Sequence, residues 1–493
     1  MVCTVSASVR KAAPILLQFA AALLCLPASS HGHPPTNTTP LTSIATVPHA
    51  AAAIASETKP NLVLILADDC TFRDIGCYGG QALTPHIDRL AQQGMRFTRC
   101  FQAAPMCSPT RHNLYTGQYP VKSGAYPNHT FVREGVKSIA HDLQPLGYRI
   151  ALSGKTHIRP RDSFPFEYSS ANNNPNMKVI DSLMQQCASS QTPFCLLACS
   201  NEPHSPWNKG DASQYDADQI TLPDYFVDTP ETRGNMVNYL AEITYFDSQV
   251  GQILDLLDQH QLSDNTLVMV LSEQGSSFPF GKWTCYDTGL QSACVVRWPG
   301  QVQPGTVIDA MVEYVDVLPT FVEAAGGSMR SELDGRSFLN VLLGKATSHK
   351  SYVFGEMTTR GIINGSDYFG IRSVRSERFK YIVNFTPDME FTNACTNSTI
   401  FKSWQKKAAT GDQHAEERVR RYSFRPAIEL YDLVTDPNEW NNLAHDPQYA
   451  DVQKELQRQL QRWMDHCGDQ GQQTELDAKQ HQGSPRPRRP QPG

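Results

Sequence analysis

Four short apolar runs recur along the chain, and each breaks off at a cluster of polar residues. Asn61 to Ala67 (NLVLILA) is continuous and stops at Asp68-Asp69-Cys70. Tyr148 to Ser153 (YRIALS) leads to Gly154-Lys155-Thr156-His157, and Phe194 to Ser200 (FCLLACS) leads to Asn201-Glu202-Pro203-His204. Thr266 to Ser272 (TLVMVLS) leads to Glu273-Gln274-Gly275. A short run without alternation predicts a strand buried on both faces, as in a parallel sheet. Helical patterns lie between the runs. Thr84 to Gly94 carries Ile87, Leu90 and Ala91 at helical spacing, and Asn235 to His260 lines up Leu240, Ile243, Val250, Ile253, Leu254 and Leu257. Strands alternating with helices predict a doubly wound α/β sheet over residues 59–349. In such a sheet ligands bind beyond the carboxyl ends of the strands, where all four polar clusters fall.

From about residue 350 the pattern changes. Ile371 to Phe385 alternates in two runs around Ser376-Glu377-Arg378, as a hairpin does, and Glu429 to Leu433 is another short strand before the turn Asp436-Pro437-Asn438. Val452 to Met464 reads as an amphipathic helix. These predict a smaller antiparallel α+β subdomain over residues 350–467. Residues 468–493 are rich in Gln, Pro and Arg and are expected to be disordered.

Composition narrows the partners. The chain has 493 residues, 40% hydrophobic and 19% charged, with a formal net charge of -6, so nothing favours nucleic acid as a ligand. An anionic substrate would need a local cluster of positive groups. Arg10 and Lys11 precede the apolar stretch Ile15 to Leu26, and Ala28-Ser29-Ser30 offers small residues for cleavage, which reads as an export signal over 1–30. The stretch is too short for a membrane span, and Leu24 before Cys25 speaks against a lipid anchor. Residues 31–58 read as a linker. Of 13 cysteines, two fall in the signal. The remainder is odd, which suggests one cysteine with a separate task and up to five disulfides among the others. Asn37, Asn128, Asn364, Asn384 and Asn397 open Asn-x-Ser/Thr sequences.

The segment richest in chemistry is Cys107-Ser108-Pro109-Thr110-Arg111. Pro109 suits the first turn of a helix. Such a helix aims its free N–H groups at the Cys107 side chain, an end that attracts anions such as sulfate. Arg111, one turn on, adds a fork-shaped cation. Taken alone, the segment reads equally as a capped helix with a structural thiol.

Cys-x-Pro-x-Arg followed by Leu-x-Thr-Gly (Leu114 to Gly117) resembles the signature of the type I sulfatases of the alkaline phosphatase superfamily. Asn61 to Asp69 resembles that family's first strand and acid pair, Thr84-Pro85-His86-Ile87-Asp88 its Thr-Pro-x-x-Asp element, and Gly154-Lys155-Thr156-His157 its Gly-Lys-x-His element. The resemblance runs from about residue 59 to 467. Ser276 to Lys282 (SSFPFGK) and Glu429 to Ala444 (ELYDLVTDPNEWNNLA) are similar to the heparan N-sulfatase (sulfamidase) type.

The resemblance implies an alkaline-phosphatase-like fold and a sulfatase that acts on a sulfated carbohydrate, at an O-ester or an N-sulfate. It implies that a formylglycine-generating enzyme oxidises Cys107 to formylglycine (3-oxoalanine) during export to the periplasm, the extracellular space or the lysosome. One hydroxyl of the hydrated aldehyde attacks sulfur. The other then loses its proton and expels sulfate, a step that a thiol cannot perform. One calcium ion, a hard cation suited to oxygen ligands, would be held by Asp68, Asp69, Glu273, Gln274 and the modified Cys107. Arg111 and Lys155 would stabilise the modified side chain, and His157 would act as base. His204, with Lys282 beside it, would hold sulfate and protonate the leaving group. Glu273-Gln274 departs from the family's usual Asp-Asn, keeping a carboxylate and an amide on longer stems. His112, Trp207 and Trp283 lie beside these positions, either as packing or as substrate contacts. A phosphonate or phosphodiester hydrolase of the same superfamily and a non-catalytic sulfated-glycan binder are the alternatives.

Overall fold

The computed structural model describes residues 59–483. The expected export signal (1–30), the linker (31–58) and residues 484–493 of the expected tail lie outside the described residues.

Nine strands form the main sheet: β1 (Asn61–Asp68), β2 (Met95–Phe101), β3 (Arg149–Gly154), β4 (Glu167–Ser169), β5 (Phe194–Cys199), β6 (Thr266–Glu273), β7 (Gln291–Arg297), β8 (Thr306–Ile308) and β9 (Val312–Glu313). Their order is β4-β3-β5-β1-β6-β7-β2-β8, with β9 also pairing with β2. β7 pairs antiparallel with both β6 and β2, while the other pairings in this sheet are parallel. The four apolar runs of the sequence are the neighbouring strands β3, β5, β1 and β6. Every residue of β1 is buried. Val63, Ile65 and Ala67 face one core, with Ile87, Ile180, Leu240 and Val250 from the helices Pro85–Gln92, Met177–Ser190 and Pro230–Gln259. Leu62, Leu64 and Leu66 face the other, with Leu114, Leu318 and Phe321 from the helices Cys107–Thr116 and Val317–Ala324. Helices on both faces are why these strands lack polar alternation.

A second sheet runs β10 (Val353–Thr358), β11 (Gly370–Arg375), β12 (Phe379–Asn384) and β13 (Ile428–Asp432), antiparallel throughout. The helix Ala450–Cys467 covers it through Leu456, Leu460 and Trp463, whose ring stacks on Phe354 at 5.1 Å. The chain does not become disordered at 468. Gln472–Asp477 is helical, and Arg372 pairs with Asp469 and Glu475, all three buried. This order rests on buried ion pairs, which a Gln-rich composition conceals.

The expected disulfides are absent among the described residues. Cys70, Cys77, Cys100, Cys107, Cys187, Cys195, Cys199, Cys285, Cys294, Cys395 and Cys467 are all free, and all but Cys77 are buried. All but Cys107 serve as small apolar side chains in or against the cores. The odd cysteine count therefore says nothing about Cys107.

Candidate active site

Four strand ends and one helix start converge. β1 delivers Asp68 and Asp69, and β6 delivers Glu273 and Gln274. The β1–β6 register sets Asp68 opposite Glu273. β3 delivers Lys155 and His157, and the turn after β5 delivers His204. Gly154 ends β3 at φ 107, where an added Cβ would lie 1.9 Å from the Cys199 carbonyl oxygen. The helix Cys107–Thr116 begins at Cys107, with Met106 extended before it. Asp69, His157 and Gln274 hold positive φ values of 61, 51 and 42. Such strain persists only where the surroundings enforce it.

The ligand atoms of Asp68, Asp69, Cys107 and His204 lie within 4.8 Å of one another, a cluster able to hold a metal ion. Gln274 Nε2 donates to Asp69 Oδ1 at 2.6 Å and approaches Cys107 Sγ at 3.0 Å. Lys282 Nζ donates to Asp69 Oδ2 at 2.8 Å and lies 3.4 Å from Cys107 Sγ. Lys155 Nζ pairs with Asp68, and Arg111 pairs with Glu273 while its Nη1 donates to the Lys155 carbonyl at 2.9 Å. His204 Nε2 is 3.6 Å from Asp69 Oδ2. The structure thus brings together Asp68, Asp69, Cys107, Arg111, Lys155, His204, Glu273, Gln274 and Lys282. His157 joins them through its carbonyl, which accepts from Ser108 Oγ at 3.0 Å.

Burial and charge set the protonation states. Burial pushes the Asp68 carboxyl up, but Lys155, His204, Arg111 and Lys282 together hold it well below the usual range. Asp69 is lowered too, with Lys282 and His204 overcoming burial. Burial lifts Glu273 to about 8; Arg111 opposes it and the Asp68 charge adds to it. Burial, reinforced by Asp68, pushes the Cys107 thiol up to about 12. An unmodified thiol here stays protonated at neutral pH and is a poor nucleophile. The positive cluster that an anionic substrate requires is therefore local, inside a chain of net negative charge.

Lys282, which the sequence places only through a loop, is 2% exposed and bound to Asp69. His112 does not reach the cluster. Its Nδ1 lies 2.7 Å from the Ser108 carbonyl oxygen, and its Nε2 accepts the Arg159 N–H at 3.0 Å. Trp207 stacks on Phe278 at 5.2 Å, whereas Trp283 lies under the Lys282 ammonium at 4.5 Å. Two polar neighbours escaped sequence reasoning. Ser277 Oγ donates to Asp69 Oδ2 at 2.8 Å, and His129 Nδ1 lies 2.8 Å from His157 Nε2. Ser277 stands inside the SSFPFGK stretch, which could have flagged it; His129 carries no such signal. Among the described Asn-x-Ser/Thr sequences, Asn364 and Asn397 are exposed. Asn128 is buried, and Asn384 is buried and bonded through Nδ2 to the Pro426 carbonyl.

The Sulfatase family model matches residues 60–328, and the model for N-sulphoglucosamine sulphohydrolase, C-terminal, matches residues 275–395. An ulvan-active sulfatase of Formosa agariphila is 34% identical over 428 residues, covering 83% of this chain and 81% of that protein. N-sulphoglucosamine sulphohydrolase of Homo sapiens is 27% identical over 454 residues, covering 82% of this chain and 89% of that protein. A solved structure in complex with its substrate, D-glucosamine-2-N,6-O-disulfate, shares the fold with a TM-score of 0.62 at 18% identity, covering 84% of this chain and 99% of that one.

Proposed function

The chain belongs to the sulfatase family, and from that premise we propose that it removes sulfate from a sulfated carbohydrate, using a formylglycine made from Cys107 and one calcium ion. The observation that carries the reading is the meeting of Asp68, Asp69, Cys107 and His204 at one point, with Arg111, Lys155 and Lys282 around it.

The residues fit a hard cation. Asp68 Oδ1, Glu273 Oε1 and Gln274 Oε1 are buried without a hydrogen-bond partner. Leaving such oxygens unmatched costs about 1–3 kcal/mol each, and a divalent ion matches them. Asp68, Asp69, Glu273, Gln274 and the modified residue 107 would hold it, and calcium suits so many oxygen donors. The amide and carboxylate of Gln274 and Glu273 supply the oxygen types that shorter Asp-Asn side chains would. When bound, the ion polarises a sulfate oxygen and favours an ionised hydroxyl at residue 107. Formylglycine supplies a second hydroxyl, through which sulfate can leave.

The protein's own groups do the rest. Arg111 and Lys155 offset negative charge at residue 107. His157 accepts a proton from the second hydroxyl. His204 and Lys282 grip the sulfuryl group, and His204, with about a third of its side chain exposed, protonates the leaving oxygen or nitrogen. The C-terminal match over residues 275–395 favours an N-sulfate as a second reading of the substrate. Conversion of Cys107 requires a formylglycine-generating enzyme during export; among the described residues no helix is long and apolar enough to cross a membrane.

Matured protein is expected to release inorganic sulfate from ulvan oligosaccharides or from glucosamine 2-N-sulfate. It should lose that activity on chelation and regain it with calcium, and the peptide spanning Cys107 should carry the mass of an aldehyde. Phosphate release from a phosphonate or phosphodiester without any sulfate release would overturn the reading. So would an unaltered thiol in active enzyme.

A further inference from the structure

We propose that His129 is a positioning residue for His157, holding the ring by an imidazole-to-imidazole hydrogen bond that leaves His157 Nδ1 as the proton-accepting atom. The inference rests on the reading of His157 as the base.

His157 Nε2 lies 2.8 Å from His129 Nδ1, with ring centroids 4.7 Å apart and planes 48° from parallel. His157 Nδ1 is buried and has no hydrogen-bond partner. A neutral imidazole carries one proton, so the bond made by one nitrogen decides what the other can do. If His157 donates from Nε2, its Nδ1 keeps a lone pair and can accept a proton. His129 then accepts at Nδ1 and carries its own proton on Nε2. The reverse assignment puts a proton on His157 Nδ1 and disables it as an acceptor. Both rings are held toward the neutral form. Burial is the largest cause in each case, followed by Lys155 for His157 and by Arg159 and Lys155 for His129.

The contact is built rather than incidental. His129 and His157 both hold left-handed backbone, at φ 58 and 51. The His129 carbonyl accepts from the Gly483 N–H at 3.0 Å. On one side the Asn128 N–H donates to the Arg360 carbonyl at 3.1 Å, and on the other Thr130 Oγ1 donates to the His481 carbonyl at 2.6 Å. Two segments distant in sequence thus clamp the loop that presents an exposed imidazole to a half-buried one. His157 is fixed from below by Ser108, the residue after Cys107.

The test uses the matured, calcium-loaded full chain with ulvan oligosaccharides and glucosamine 2-N-sulfate as probes. His129→Leu removes the nitrogen. His129→Asn keeps a polar atom near the Nδ1 position and tolerates positive φ. We expect kcat to fall about 10- to 100-fold in His129→Leu, by analogy with the loss of a partner that orients a metal-ligating histidine. KM should stay within about threefold and melting temperature should hold, with most of the kcat restored in His129→Asn. Long-range proton–nitrogen spectra of histidine-labelled protein read the tautomer without any substrate. They should show the His157 proton on Nε2 in the wild type and a mixture in His129→Leu. Unchanged kcat in His129→Leu while His157→Ala is inactive would overturn the proposal, as would a wild-type spectrum with the proton on Nδ1. Full activity in His157→Ala would instead remove the base assignment beneath it.

Discussion

His112 shows how much one buried side chain decides beside a reacting centre. Both its nitrogens are satisfied by main chain: Nδ1 by the Ser108 carbonyl, and Nε2 by the Arg159 N–H. It therefore ties the start of the Cys107 helix to the loop after His157. Burial drives its pKa down to about 4, against the pull of the Ser108 carbonyl and of the Arg159 carbonyl 3.1 Å from Nε2. The unfolded chain takes up a proton near pH 6.5, the folded chain only near 4. Stability from this site is therefore whole above pH 6.5 and drains as pH falls toward 4, by about 2 kcal/mol at pH 5. Urea unfolding at pH 7 and pH 5 should show that loss in the wild type. In His112→Asn it should shrink by a similar amount, and an equal loss in both proteins would refute the assignment. At this scale the sequence reading named ten residues by resemblance; the fold gathers nine of their side chains around one point and joins His157 to them through its carbonyl. The sequence reading passed over Ser277, and it could not see His129. Their roles depend on contacts with Asp69 and His157 that link positions 208 and 28 residues apart.

At the level of elements, the readable strands are those buried on both faces. β1, β3, β5 and β6 are apolar through their middles because helices cover them, and so they stand out as runs. β2 does not: MRFTRCF mixes charge with apolar residues, its ladder slips between Phe97 and Cys100, and three of its seven residues are only partly buried. β8 and β9 are too short to carry a pattern. The hairpin β11–β12 was legible from its turn, since antiparallel neighbours leave alternation and a tight connection behind. The end of β3 is the element most sensitive to a small change. Gly154 approaches the Cys199 carbonyl too closely for any Cβ and takes a φ that other residues resist. Gly154→Ala must part β3 from β5 or shift Lys155. We expect a stability loss of about 2–4 kcal/mol, together with a fall in kcat. A melting temperature within a degree or two of wild type would show that the strand end has slack.

Across the whole molecule, the last described residues return to the loop that carries His129. His481, Gln482 and Gly483 meet His129 and Thr130, although composition alone predicted disorder here. A chain ending at Asp477 should keep most of its melting temperature, because both sheets and their helices stay intact. Its kcat should drop as in His129→Leu. Wild-type turnover in that truncation would show that the Arg360 side of the clamp suffices. Sheet topology has one more consequence, for the order of events during synthesis. Cys107 is sealed by groups from all four central strands, and Lys282 follows it by 175 residues. A ribosome adding about 5–20 residues per second needs roughly ten to thirty-five seconds to deliver that lysine. Until then the pocket cannot shut, so on the proposal that Cys107 is converted during export, an oxidising enzyme would have that interval in which to find its cysteine still on open thread.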